Sequence, residues 1–411
     1  MTTVRADSKT LRAIIEEALG IICNAGGFTH KQLIIECLQG NMTLKLKKPV
    51  NDGEPLFNVP VDCLPAMQDF DLQFDGKMVS FEPLKDRNPP ASNNQQQLMA
   101  LMAALYNETD KVNLFARFSP FVAFNANRSL LTELRNSFST PSHVFELDGE
   151  INQIKLAAFL ESRCYEDKTA DAFRLLPLLE FADHHVLARG FDSKFNDSKL
   201  MSVGIVYSSI KGAGKSVFIC YRQKDRLASF INYGFVDSSV RFVQSVPVNV
   251  ELPGGFRFVV AAGFIDDNMM PEQNFPQAVP GFRFSRSHYS AYVSNMRGTE
   301  NRELEVHYLI IPRGEEIPAL REVIAFELGY YEKRFGLADG EVCTPGNVLI
   351  VEKTVIEKNL AYYAQLSRLL SGQAVTAESG IAHGMLTEVI KYQRAHILNY
   401  AKKVGVEIPN H

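Results

Sequence analysis

No stretch of eighteen apolar residues occurs in the 411-residue chain, so no helix of the usual membrane-spanning kind is expected. An excess of one charge is missing too. The 43 basic and 47 acidic residues leave a formal net charge of −4, which argues against a polyanionic partner such as nucleic acid. The opening MTTVRADSKTLRAIIEEALG has no basic segment followed by an apolar one, so no signal peptide is expected. Cysteine is sparse: Cys23, Cys37, Cys63, Cys164, Cys220 and Cys343 never come within C-x-x-C spacing. Reduced, mostly buried thiols of a cytoplasmic protein are expected, with no zinc or other metal site. No internal repeat is visible.

What is present is an ordinary globular balance, 46% hydrophobic and 22% charged, long enough for two or three units. Residues 8–39 read as helical twice, from Leu11, Ile14, Ile15, Ala18 and Leu19, then from Leu33, Ile34, Cys37 and Leu38. From Met42 the pattern turns to strand, turn, strand, with Asn51-Asp52-Gly53 as the turn. Phe70, Leu72 and Phe74 alternate before Asp75-Gly76, and Val79 and Phe81 return, a hairpin pattern. A polar, proline-bearing linker spans 85–97, and 95–182 reads as mostly helical. Strands return over 201–265; an irregular excursion bounded by Pro271 and Pro280 follows. Amphipathic helices close the chain, one over Ile317–Leu328 and two more spaced by Leu360, Tyr363, Leu366 and by Leu386, Val389, Ile390.

Gly214-Lys215-Ser216 resembles the tail of a phosphate-binding loop. That loop needs a glycine five residues before Gly214, where Ser209 stands, and a helix after it. Val217-Phe218-Ile219-Cys220-Tyr221 is instead β-branched and aromatic. Lys211–Lys215 is read as a tight turn between antiparallel strands, and a nucleotide hydrolase is set aside.

The residues beyond it are more specific. In VFICYRQKDRLASFINYGFV a strand ends at Tyr221, a short helix follows, and Tyr233-Gly234-Phe235 lies twelve residues on. This resembles the closing segment of SET domains of the Rubisco large-subunit methyltransferase subclass. ESRCYEDKTADAFRLLPLLEFADHH is similar to the family's S-R, variable loop, then L-x-P-x-x-D-x-x-N-H. Ser162-Arg163, Pro177, Asp183 and His185 are read onto it, which puts N-H at His184-His185. VNDGEPLFNVPVDCL resembles the family's I-x-x-G-E-x-[IL]-[IL]-x-[IV]-P at Gly53-Glu54 and Val59-Pro60. Departures lie at cofactor-facing places. Asn41 and Thr43 stand where the family has G-x-G, His184 where it has asparagine, and Asp225-Arg226 where it has S-N.

The resemblance implies an α+β protein: a SET-like β-fold with an inserted helical subdomain and an all-α C-terminal domain. The expected division is a helical leader over 1–40, a β domain over 41–94 and 183–265, a helical insertion over 95–182, and a mainly helical substrate-binding domain over 266–411. It implies an S-adenosylmethionine-dependent protein methyltransferase acting on lysine, or on histidine. Tyr221 would orient the amine beside the transferring methyl, Tyr233 and Phe235 would line the channel, and Asn41, Thr43, His184, His185 and Arg226 would face S-adenosylmethionine. A protein substrate would be held by the C-terminal helices. A different class stays open on the same departures: a SET-like binding module without catalysis.

Overall fold

Ser8 starts the first long helix by accepting the Leu11 N–H on its side chain, and Leu11, Ile15, Ala18 and Ile22 then bury one stripe. The computed structural model describes residues 2–137, 144, 149–212, 214–221, 224–261, 291–292, 302–306, 309–312, 319–376 and 379–408. The fold is α+β, and the chain divides into two compact units. One comprises Met1–Ala123, Leu147–Gln223 and Asn232–Ser239; the other comprises Phe124–Glu146, Lys224–Ile231 and Val240–His411.

In the first unit, β1 (Thr3–Ala6), α1 (Lys9–Asn24), β2 (Phe28–Thr29), β3 (Leu33–Leu38), β4 (Asn41–Leu46) and β5 (Pro55–Pro60) follow in order. The hairpin β6 (Phe70–Phe74) and β7 (Val79–Pro83) comes next. Then come α2 (Asn93–Glu108), α3 (Lys111–Ala116) and α4 (Pro120–Ala123). After α5 (Arg128–Asn136), which belongs to the second unit, the first resumes with α6 (Ile151–Glu161), β8 (Cys164–Asp167), β9 (Ala172–Leu175), β10 (Asp183–His184), β11 (Asp192–Asn196), β12 (Lys199–Val206) and β13 (Phe218–Ile219). The sheets order as β1-β3-β4 and β11-β12-β5-β2, with β10 parallel to β13. The second helical pattern expected in the leader is a strand. Leu33 to Cys37 are buried without a break because β3 is the middle strand, parallel to β1 and antiparallel to β4. Such a run carries no period that separates helix from strand.

Residues 164–175, inside the stretch read as mostly helical and at its variable loop, form the β8–β9 hairpin. Asp167 closes its turn by accepting the Thr169 N–H and hydroxyl and Arg174 Nε. The linker ends sooner than expected, because Ser92 and Gln95 form a capping box that starts α2 at Asn93. Lys211–Lys215 does not join paired strands. β12 pairs with β11 and β5, whereas Leu46 N–H and Val217 N–H bond Lys215 and Leu44 carbonyls, so the segment after the turn runs against β4.

The second unit joins α7 (Arg226–Tyr233) through Ile231, β14 (Phe242–Gln244), β15 (Val248–Leu252), β16 (Phe256–Val260), β17 (Ala291–Tyr292), β18 (Arg302–Val306), β19 (Ile310–Pro312), α8 (Ala319–Phe335), α9 (Pro345–Ser371) and α10 (Gly380–Val404). Its sheet runs β15-β16-β18-β17. The C-terminal helices share a unit with strands 240–260, which the sequence places in the β domain. Asn359 on α9, fully buried, shows why. Its side chain accepts the Val246 N–H and donates to Ser245 Oγ, pinning the helix to the sheet's leading segment. The excursion expected around 271–280 lies outside the described residues. No described helix is long and apolar enough to cross a membrane.

Candidate functional site

β10 and β13 lie parallel, Asp183 beside Phe218 and His184 beside Ile219, with Asp183 and His185 N–H donating to the Val217 and Ile219 carbonyls. Alternation then separates neighbours. The His184 side chain is 3% exposed, 5.3 Å from the Tyr221 ring and 5.2 Å from Phe235. His185 stands 5.6 Å from Phe218 and accepts the Leu187 N–H on Nδ1, and burial lowers its pKa. The adjacent histidines thus do different things.

Tyr221 follows β13 by two residues and is fixed twice. Its N–H donates to His184 Nδ1 at 3.2 Å, and its hydroxyl donates to the Ala182 carbonyl at 2.6 Å. Burial raises the hydroxyl's pKa, with Asp183 and Glu180 adding and Arg163 opposing. Tyr233 approaches to 5.1 Å, and Phe235 stacks on Tyr233 at 5.8 Å. Gly234 makes this return possible. Its φ is +67°, and a Cβ there would sit 3.2 Å from Phe118 Cβ. Tyr221, Tyr233, Phe235 and His184 are therefore one group of rings in the first unit.

Since His184 Nδ1 is an acceptor, its proton is on Nε2, which faces Asp237 Oδ2 at 3.4 Å. Burial works against an ionised Asp237. The facing His184 imidazole and hydrogen bonds from Ser239 outweigh it and bring the pKa to about 2. Sequence reasoning missed Asp237, because no motif spacing marks it.

A second cluster lies along the route from α6 to β10. Glu180 accepts Arg163 Nε at 2.9 Å and the Tyr106 hydroxyl at 2.5 Å, while Arg163 stacks over Phe159 at 3.9 Å. Burial raises the Glu180 pKa, and Arg163 opposes it. Counted from Pro177, L-x-P-x-x-D-x-x-N-H puts the acid on Glu180 and the last histidine on His184. That moves the acid by three residues and the histidine by one from the first register, and Glu180 is recoverable from spacing alone.

Of the other candidates, Asn41 and Thr43 lie on β4 beside β3, Asn41 exposed and Thr43 half-buried. The Leu44 carbonyl accepts from Val217, whose own carbonyl accepts from Asp183, so β4 and β10 flank one short segment. Arg226 belongs to the second unit, where its guanidinium lies 3.3 Å from the centre of the Tyr392 ring.

No family model matches the chain, and no curated protein does. Among solved structures, it is similar to the SET domain of LSMT bound to lysine and AdoHcy, at 12% identity and a TM-score of 0.37, over 96% of this chain and 92% of that one. It is also similar to Rubisco LSMT bound to AdoMet, at 12% identity and a TM-score of 0.35, over 97% of each chain.

Proposed function

We propose that this chain is a SET-like, S-adenosylmethionine-dependent protein methyltransferase acting on a lysine side chain. The observation that carries the reading is the clustering of the Tyr221, Tyr233 and Phe235 rings, from a tyrosine and a Y-G-F element twelve residues apart. The cofactor, when bound, supplies a methyl group on a sulfonium. The chain's task is to align a neutral amine and keep water from it.

The Tyr221 hydroxyl gives its proton to Ala182, which leaves its oxygen lone pairs to accept from an amine N–H. Tyr233 and Phe235 offer apolar faces that strip water from a lysine stem and so favour the uncharged amine. His184 serves as a fixed wall, its Nδ1 occupied by the Tyr221 amide and unavailable as a base. The donor set suits a nucleoside carrying an amino acid. Asn41 and Thr43 on β4, and the oppositely charged Lys111 and Asp183, lie in the same unit as the rings. A polypeptide substrate would meet apolar side chains on α9 and α10, where Leu349, Ile350 and Leu398 are exposed.

Arg226 on its tyrosine and the missing G-x-G favour the second reading, a SET-like binding module without catalysis. Calorimetric titration with S-adenosylhomocysteine separates the two. Saturable binding near micromolar strength, about −8 kcal/mol, is expected. Methyl transfer to lysine in proteolysed cell protein should then fall at least about tenfold in Tyr221→Phe, with binding kept. Absence of heat up to millimolar ligand would reject the methyltransferase.

A further inference from the structure

Four cations and three carboxylates gather near β4 and β10 in the first unit, and three of the cations and two of the carboxylates are already matched. Glu36, 4% exposed, holds Lys45 at 2.5 Å and Arg5 at 3.0 Å. Glu180 holds Arg163. That leaves Lys111 and Asp183. The Lys111 ammonium donates to the Gly40 carbonyl at 3.1 Å, at the turn entering β4, and among the described residues it forms no ion pair. The Asp183 carboxylate has neither a hydrogen bond nor an ion pair among the described residues, and it feels Lys45 and Lys111 only at a distance.

Neither group behaves as a solvated surface charge. Burial lowers the Lys111 pKa, with Arg163 adding to the effect, and burial raises that of Asp183. A half-buried charge without its counterpart is a standing cost that a complementary ligand removes. Two such charges of opposite sign, close enough to sense each other yet not touching, complement a ligand that carries both signs on one carbon. Lys111 Nζ keeps two N–H donors beyond its bond to Gly40, and Asp183 can accept from an ammonium.

We propose that Lys111 and Asp183 bind the α-amino-acid end of the cofactor, Lys111 its carboxylate and Asp183 its ammonium. This rests on the methyltransferase reading. It also gives a physical reason why side chains are tolerated at Asn41 and Thr43. Recognition comes from a lysine delivered by α3 to the Gly40 turn, so the ligand's charged end is held by a side chain where close backbone approach would otherwise be needed.

The test uses the full chain, with S-adenosylhomocysteine and 5′-methylthioadenosine as probes, the second lacking the amino acid. Wild type, Lys111→Gln, Asp183→Asn and Lys111→Arg are titrated calorimetrically after thermal melting shows them folded. The expected result is that both neutral variants bind S-adenosylhomocysteine roughly tenfold or more weakly. Methylthioadenosine should bind all four alike, and Lys111→Arg should recover most of the loss. Unchanged S-adenosylhomocysteine binding in the neutral variants would overturn the assignment and leave the methyltransferase standing. Equal loss of both probes would also overturn it, as a structural effect. A wild type that binds neither probe would remove the methyltransferase reading itself.

Discussion

His184 and Asp237 illustrate how one buried ring can hold another. Among the described residues, His184 Nε2 and Asp237 Oδ2 make no hydrogen bond and face each other at 3.4 Å, while His184 Nδ1 carries the Tyr221 amide. In Asp237→Asn the Tyr221 amide still occupies Nδ1, so His184 should keep its Nε2 proton while losing the carboxylate that faces it. Nitrogen-15 spectra of the imidazole would show it, and a proton moved to Nδ1 in the variant would refute the hold of the Tyr221 amide on the ring. The sign of the pH effect follows from the depressed pKa. Asp237 is about 2 in the fold against an ordinary 3.8, so its stabilisation is complete above about 4 and is lost as pH falls through 2. It amounts to roughly 2 kcal/mol. Acid titration of stability in Asp237→Asn should therefore lose part of its slope between pH 4 and 2. At this scale Tyr221, Tyr233 and Phe235 were legible in the sequence, since each is marked by residue type and by a fixed separation. Asp237 was not, because its role exists only once the chain after Phe235 turns back to His184.

Elements were legible where their ends carry chemistry. Asp75-Gly76 marked the β6–β7 turn, and Ser92 with Gln95 marked the start of α2 even though the linker was read past it. The Y-G-F return is a further case. Gly234 holds φ at +67°, and Phe118 and Phe115 would crowd a Cβ placed there. Gly234→Ala should destabilise by about 1 kcal/mol or more, from the left-handed backbone and the close contact together. Chemical denaturation measures the loss, and near-ultraviolet dichroism of the tyrosines should change with it. A variant of wild-type stability would show that the turn relaxes freely. The elements misread, β3 and the β8–β9 hairpin, share a cause. Each is short and apolar or mixed, and its strand character comes from pairing that no period marks: β1 and β4 flank one, and a closed Asp167 turn sets the other.

Across the molecule, one buried acid stands out from the matched pairs. Glu327 on α8 is 2% exposed, and burial alone raises its pKa to about 8. The folded state therefore retains a proton that the unfolded chain releases near pH 4.5. Stability contributed by the neutral acid is full below pH 4.5 and declines as pH rises through 8. Glu327→Gln should melt higher than wild type at pH 9, by on the order of a few kcal/mol, and should differ little at pH 5. Equal melting at both values would place a cation beside Glu327. The same scale decided the division of the chain. Helical period alone identified α8, α9 and α10, but not that Asn359 ties α9 to strands near residue 246.

Local rules reach as far as one turn or one strand of chain. They were enough for the α+β class, for most helices, for rejecting a phosphate loop before Val217, and for nominating the aromatic residues of the candidate site. Strand partners, the split of His184 from His185, the seat of Arg226 on Tyr392, and the unmatched pair Lys111 and Asp183 depend on segments tens of residues apart becoming neighbours. Hydrogen-bond pairing and burial assign those roles, and both are properties of the folded chain.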